Sequence, residues 1–148
     1  MAKIISPASG RVLFVKRKPN YVHIAVFLNI YDNHTQYSPV EGIILKQIYF
    51  PGNFYPAYLD IGTKNEQLIT FIGSEYGLFV VKQIAGTLFK RIVSNIDQGQ
   101  IVKQSEPIGK IKLGSRVDLY IPNDFNIITN LKKGDQVEAG ESVIALLS

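Results

Sequence analysis

A chain of 148 residues with 46% hydrophobic and only 19% charged side chains can bury the core of one domain, residues 1–148, and lacks the composition of a disordered or coiled-coil protein. The absence of cysteine excludes disulfides, thiolate catalysis and cysteine-based zinc sites, and two histidines, His23 and His34, are too few for a multi-histidine metal centre, so no metal is expected. The net charge of +4 is spread along the chain, which favours an anionic partner such as phosphate head groups over nucleic acid.

The chain starts Met1-Ala2-Lys3-Ile4-Ile5-Ser6-Pro7, without the long apolar stretch of a signal peptide. No apolar run approaches the ~20 residues that span a bilayer. A cytoplasmic protein, soluble or peripherally associated with membrane, is therefore expected. Valine, isoleucine, tyrosine and phenylalanine are frequent, which favours strands over helices. In chain order, short apolar or alternating runs fall at Arg11–Lys16, Tyr21–Leu28, Gly42–Tyr49, Gln67–Ile72, Leu78–Ile84, Phe89–Ser94, Lys110–Leu113, Val117–Ile121 and Glu141–Leu147. Turn signals separate them, among them Pro19-Asn20, Pro51-Gly52-Asn53, Pro122-Asn123-Asp124 and Lys133-Gly134-Asp135. Thr87–Ile92 fits one helical turn, although a strand is the expectation there. This spacing of strands and turns predicts an all-β domain of short antiparallel strands and hairpins, a sandwich or barrel.

Two internal echoes refine the picture. Ser6-Pro7-Ala8-Ser9-Gly10 resembles Ser38-Pro39-Val40-Glu41-Gly42, each a Pro-x-x-Gly turn leading into a strand. The segment from Asp97 to Gly109 resembles that from Lys133 to Ile144, each built on Gly-x-x-Val followed by a Ser/Gly-Glu pair. The second pattern is that of hairpins in lipoyl-like and biotinyl-like barrel-sandwich hybrids, so a fold of that character is expected. A lipoyl or biotinyl carrier, or a scaffold domain, is a further functional reading. Such a carrier presents a lysine at a hairpin tip in Met-Lys-Met or Asp-Lys context, and neither context occurs here.

The strongest chemical signal lies between Gln83 and Pro122. It contains Gln83-Ile84-Ala85-Gly86, the Gly99…Val102…Glu106-Pro107-Ile108-Gly109 hairpin and Leu113-Gly114-Ser115-Arg116-Val117-Asp118. Upstream stand Asp32-Asn33-His34, Pro39, Gly42, Phe50-Pro51-Gly52, Pro56-Ala57-Tyr58-Leu59-Asp60 and Asn65-Glu66. This ordered set resembles the phosphatidylserine decarboxylase family, especially its short archaeal-type form, over roughly Ile5 to Pro122.

The resemblance implies self-cleavage between Gly114 and Ser115. The Ser115 hydroxyl attacks the Gly114 carbonyl, elimination splits the chain into a β chain (1–114) and an α chain (115–148), and residue 115 becomes a pyruvoyl cofactor. That group joins the substrate amine and accepts electrons as carbon dioxide leaves. The implied reaction converts a phosphatidylserine-like phospholipid to its ethanolamine form at a membrane surface, with a homo-oligomer left open. His34 occupies the position that the family uses for proton transfer, a task suited to imidazole. Asp32 is a candidate orienting carboxylate.

Two positions depart from the family pattern. Ser9 stands where relatives carry an aspartate that supports processing, and Tyr37 stands where they carry histidine or arginine. Asp32 and Asp118 are the carboxylates that could replace it. A non-catalytic, unprocessed phospholipid-binding relative is thus the competing reading. Relatives have more amino-terminal sequence, so a membrane-binding lead segment is expected to be absent. The segment Tyr49-Phe50-Pro51-Gly52-Asn53-Phe54-Tyr55-Pro56-Ala57-Tyr58 carries five aromatics. It reads either as core filling or as an apolar surface that meets lipid.

Overall fold

The computed structural model describes residues 1–29, 32–86, 92–111 and 114–148, with the Ile61 side chain also left aside. Fourteen strands follow in order: β1 (Ala2–Ile5), β2 (Gly10–Arg17), β3 (Tyr21–Phe27), β4 (Thr35–Tyr37), β5 (Gly42–Phe50), β6 (Gln67–Ser74), β7 (Gly77–Ile84), β8 (Val93–Ser94), β9 (Ile101–Val102), β10 (Pro107–Lys110), β11 (Arg116–Pro122), β12 (Ile127–Ile128), β13 (Gln136–Val137) and β14 (Val143–Leu147). One short 3-10 helix, Asp60–Lys64, interrupts them. The all-β expectation holds: the antiparallel sheets curl into a half-barrel.

The main sheet has the order β13-β2-β3-β11-β7-β6-β5-β9, and two three-stranded sheets, β1-β14-β12 and β4-β10-β8, complete the fold. Strand alternation sorts the main sheet into two faces. Val117, Leu119 and Ile121 on β11 point inward with Ile24, Val26, Ile72, Phe79 and Val81, all at most 2% exposed. Arg116, Asp118 and Tyr120 therefore point to the outer face.

Both echoes have structural counterparts. The Ser6 and Ser38 hydroxyls each donate to the carbonyl two residues on, at 2.7 Å. Gly10 pairs with Val137, and Gly42 with Val102, at opposite ends of the main sheet. Ser105 and Gly140 occupy equivalent turns with φ of 65° and 74°. Ser105 is the only described non-glycine residue with positive φ, and its hydroxyl donates to the Gly140 carbonyl at 2.9 Å.

Two expected strands differ in extent. Of Phe89–Ser94, residues 87–91 lie outside the described residues and only Val93–Ser94 is strand. Instead of Lys110–Leu113, the strand is Pro107–Lys110, because Gly109 and Lys110 pair with both β4 and β8. Ile111 then turns its amide to the His34 carbonyl, and residues 112 and 113 lie outside the described residues.

Candidate active site

Ser115 immediately precedes β11 and extends its ladder by one residue, its carbonyl accepting from the Leu28 amide at 2.9 Å. The alternation that points Val117 and Leu119 inward points Ser115 inward as well. Its side chain is fully buried, and the Oγ atom has no hydrogen-bond partner among the described residues. A buried hydroxyl without a partner is costly and calls for an explanation.

Gly114 has φ +68°, the left-handed region that L side chains avoid. Across from it, at the end of β7, a Cβ on Gly86 would lie 2.0 Å from the Gly114 carbonyl oxygen. Two glycines thus permit the Gly114–Ser115 peptide to turn and to lie against neighbouring backbone. Leu113, the first residue of the motif, lies outside the described residues.

His34 sits just before β4. Its Nε2 atom is also buried and also without a partner among the described residues. What ties it to the Ser115 end of the sheet is a pair of buried amides. Gln36 Nε2 donates to the His34 carbonyl at 2.9 Å, and Gln83 Nε2 donates to Gln36 Oε1 at 2.8 Å. Gln83 pairs directly with Val117 on β11, one inward position from Ser115. Neither glutamine was assigned a role from the sequence, although Gln83 opens the Gln83-Ile84-Ala85-Gly86 segment of the family pattern. Their signal is that both are almost fully buried polar residues, joined to each other by one hydrogen bond and through Gln36 to the His34 carbonyl.

The remaining candidates lie around this centre. Asp32 closes the loop before His34: its carboxylate accepts from the Asn29 amide at 2.6 Å and from Gln136 Nε2 at 3.3 Å. Ser9 is buried, its hydroxyl accepting from the Ala139 amide at 2.8 Å and donating to the Glu138 carboxylate at 3.4 Å. Tyr37 lays its ring against Gly140, where an added Cβ would approach it to 3.1 Å. Both departures from the family pattern therefore meet the same turn, residues 138–140. Glu138 is a carboxylate next to Ser9 that sequence reasoning missed, because it lies 129 positions away in the chain.

Asp118 is engaged elsewhere, on the outer face. Arg116 holds it in a fork, Nε to Oδ1 at 2.6 Å and Nη2 to Oδ2 at 2.7 Å, and His23 Nε2 contacts Oδ2 at 2.7 Å. Burial opposes its ionisation, but the hydrogen bonds from Arg116 and His23 outweigh burial and hold the carboxyl below its ordinary value. Burial, followed by the Asp118 charge, pushes the Tyr120 phenol up to about 12.

The aromatic segment does not fill the core: Phe50, Phe54, Tyr55 and Tyr58 are all exposed, while Ala57 beneath them is fully buried. Asn65 fixes this loop, its Nδ2 donating to the carbonyls of Tyr55 and Ala85 at 2.7 Å each. Ala85 adjoins Gly86, so the exposed aromatics stand at the Ser115 end of the sheet.

A curled antiparallel sheet thus carries a buried serine, without a hydrogen-bond partner among the described residues, directly after a left-handed glycine. The phosphatidylserine decarboxylase family model matches residues 2–145, and the chain belongs to that family. A relative from Methanococcoides burtonii, named "Putative archaetidylserine decarboxylase proenzyme", is 39% identical over 142 residues, 96% of this chain and 65% of the relative. One of the same name from Methanosarcina barkeri is 38% identical over 97% of this chain and 68% of its own length. A phosphatidylserine decarboxylase proenzyme from Ehrlichia canis is 38% identical over 97% of this chain and 67% of its own. The chain thus spans about two thirds of the length of the curated relatives it matches. No solved structure matches it.

Proposed function

We propose that the chain is a proenzyme that cleaves itself between Gly114 and Ser115 and then decarboxylates the serine head group of a phosphatidylserine-like phospholipid. The observation that carries this reading is the Ser115 hydroxyl, buried and unpartnered beside a left-handed Gly114. A hydroxyl with no hydrogen bond to the described residues is available to attack the preceding carbonyl. The attack forms the Ser115 Oγ–Gly114 carbonyl bond and breaks the peptide C–N bond, leaving an ester. Loss of the Ser115 α-proton then breaks the Cβ–Oγ bond, releases the Gly114 carboxylate and leaves dehydroalanine. Water converts this to the pyruvoyl group with loss of ammonia, giving chains 1–114 and 115–148.

The residues present fit such a group, because a buried residue 115 at a new amino terminus is shielded from water within the sheet. The pyruvoyl group supplies an electron sink for decarboxylation. The chain's own part is to hold and protonate. His34 is proposed to deliver the proton that replaces carbon dioxide, its Nε2 having no competing partner among the described residues. Asp32 orients His34 indirectly, by closing the loop that carries it. The exposed aromatics between Phe50 and Tyr58 form an apolar rim at this end of the sheet, suited to contact with lipid.

The competing reading, an unprocessed lipid-binding relative, rests on Ser9 and Tyr37. Ser9 is committed to Glu138 and Ala139, and Tyr37 packs on Gly140. Intact-mass analysis separates the two readings. Self-cleavage gives two fragments, 1–114 and 115–148, and S115A stays whole. A wild-type chain that remains at 16.5 kDa and resists hydroxylamine after long incubation overturns the enzyme reading.

A further inference from the structure

His34 and Ser115 belong to different sheets. His34 stands just before β4, in the three-stranded sheet β4-β10-β8, and Ser115 just before β11, in the main sheet. A proton passes between two groups only over hydrogen-bond distances, so whatever sets the spacing of the sheets sets the reach of His34 toward residue 115. In the uncut chain two stretches of backbone do this. The Ile111 amide donates to the His34 carbonyl at 3.2 Å, and Ile111 is four positions from Ser115. On the other side, His34 is six positions from Leu28, whose amide donates to the Ser115 carbonyl at 2.9 Å.

Cleavage between Gly114 and Ser115 opens the shorter of these links. His34 and Ile111 stay in chain 1–114, while residue 115 begins the other chain and is held through the ladders of β11 with β3 and β7. The side chains of Gln36 and Gln83 supply a link that the cut does not touch. Gln83 on β7 is buried on the inward side, beside Val117, its partner in the register of β11. Its amide crosses to the small sheet and donates to Gln36 Oε1 at 2.8 Å. Gly109 on β10, which pairs with Gln36, leaves room for this crossing: an added Cβ there would lie 3.0 Å from Gln83 Nε2. Gln36 Nε2 in turn donates to the His34 carbonyl at 2.9 Å. Both amides are almost fully buried, where a hydrogen bond is stronger than in water. Gln47 and Ser94 also join the two sheets, between β5 and β8 at 3.1 Å, but that contact is exposed to solvent.

We propose that Gln36 and Gln83 are positioning residues for the decarboxylation step, keeping His34 in register with residue 115 after cleavage has severed the covalent link between Ile111 and Ser115. The role rests on the reading of the chain as a self-cleaving decarboxylase. It assigns the glutamines to the second reaction and not to the first, because before the cut the backbone from Ile111 to Ser115 carries the same constraint.

The test uses Q36L, Q83L and the double variant, with I121V as a control that thins the core at the far end of β11. Cleavage is followed by intact mass, decarboxylation by release of carbon dioxide from phosphatidylserine in detergent micelles, and stability by thermal melting. The three glutamine variants are expected to cleave like wild type. Their kcat should fall about 10- to 100-fold with KM little changed, the scale of loss that misplacement by about an ångström brings. The double variant should lose less stability than the two single losses summed, yet its kcat should stay as low as that of either single variant. I121V should melt below wild type and keep its kcat. Q36M and Q83M keep the side-chain length and stand in where a leucine variant fails to fold. A kcat that tracks melting temperature across all variants, I121V included, overturns the role. Loss of cleavage in step with kcat also overturns it, because the link would then be needed before the cut. A wild-type chain that stays whole overturns the decarboxylase reading and the role with it. A cleaved, active wild type whose glutamine variants keep full kcat overturns the role alone.

Discussion

Asp118→Asn removes one charge from a buried cluster and little else. Asp118 is 1% exposed and Arg116 3%, and the fork between them is made of two bonds at 2.6 and 2.7 Å. An asparagine keeps the shape but offers one acceptor where the carboxylate offered two, and it leaves the guanidinium uncompensated. Breaking such a pair from one side costs about 3–5 kcal/mol. A chain of this size has roughly 7–20 kcal/mol of total stability, at about 0.05–0.15 kcal/mol per residue. With about 2–4 °C of Tm per kcal/mol, the variant should melt roughly 6–20 °C lower at neutral pH. The pH dependence follows from the direction of the Asp118 shift. Its folded carboxyl lies below the ordinary value, so it contributes stability above about pH 4 and loses it as pH falls through the lowered value. The gap between wild type and D118N should therefore be full at pH 7 and close in acid. Urea titrations at pH 7, 5 and 3 measure it. Replacing both partners, R116M with D118L, should cost far less than D118N alone. Because Asp118 faces away from Ser115, D118N is also expected to leave the extent of self-cleavage unchanged in the fraction that folds. A D118N chain within about 1 kcal/mol of wild type at pH 7, or a gap that does not narrow in acid, would refute the reasoning.

Other substitutions probe the Ser115 side. G86A sets a methyl against the Gly114 carbonyl at a distance no Cβ tolerates, so the strand end must shift, and cleavage seen by mass should be lost even where folding survives. G114A meets no neighbouring atom and should cost only the left-handed backbone penalty of about 1–2 kcal/mol, read by thermal melting. Q83L leaves the Gln36 carbonyl oxygen buried and unpaired and should cost about 1–3 kcal/mol in urea, with Q36L and Q83L together costing less than the sum of the two singly. S9D restores a carboxylate beside the Glu138 turn. The processed fraction should rise over wild type at matched incubation times; no change would show that this position has no part in cleavage.

The strands were legible because alternation reports directly on burial. The runs Tyr21–Leu28, Gln67–Ile72, Leu78–Ile84 and Val117–Ile121 sit in four neighbouring strands of the main sheet, and their inward residues are the core. The short strands β4, β8, β12 and β13 have two or three residues each, too few for a period to register. Within the site, Gly114, Ser115 and His34 were legible as a family pattern. The pairing of Gln36 with Gln83 was not, because they meet across 47 positions, even though Gln83 lies in a segment of that pattern. The same holds for the faces of β11. Ser115 and Asp118 are three residues apart in sequence, which puts them on opposite sides of a strand. Asp118 was weighed as a replacement for the carboxylate missing at Ser9, and strand geometry turns it away from Ser115.

With Asp118 turned away, Asp32 and the turn at residues 138–140 remain as places that bear a carboxylate. Ser9 and Tyr37 are 28 positions apart, yet both side chains rest on residues 138–140. Ser9 fills its place by bonding to the Ala139 amide and the Glu138 carboxylate, and Tyr37 fills its place by stacking on Gly140. Glu138 is exposed and reaches Ser9 at the long end of a hydrogen bond, so it places a negative charge at this position from the hairpin side rather than from residue 9. If that charge takes part in processing, E138Q slows cleavage and S9D with E138Q restores it. If it does not, E138Q cleaves like wild type, and the buried, unpartnered Ser115 works with no carboxylate from this turn.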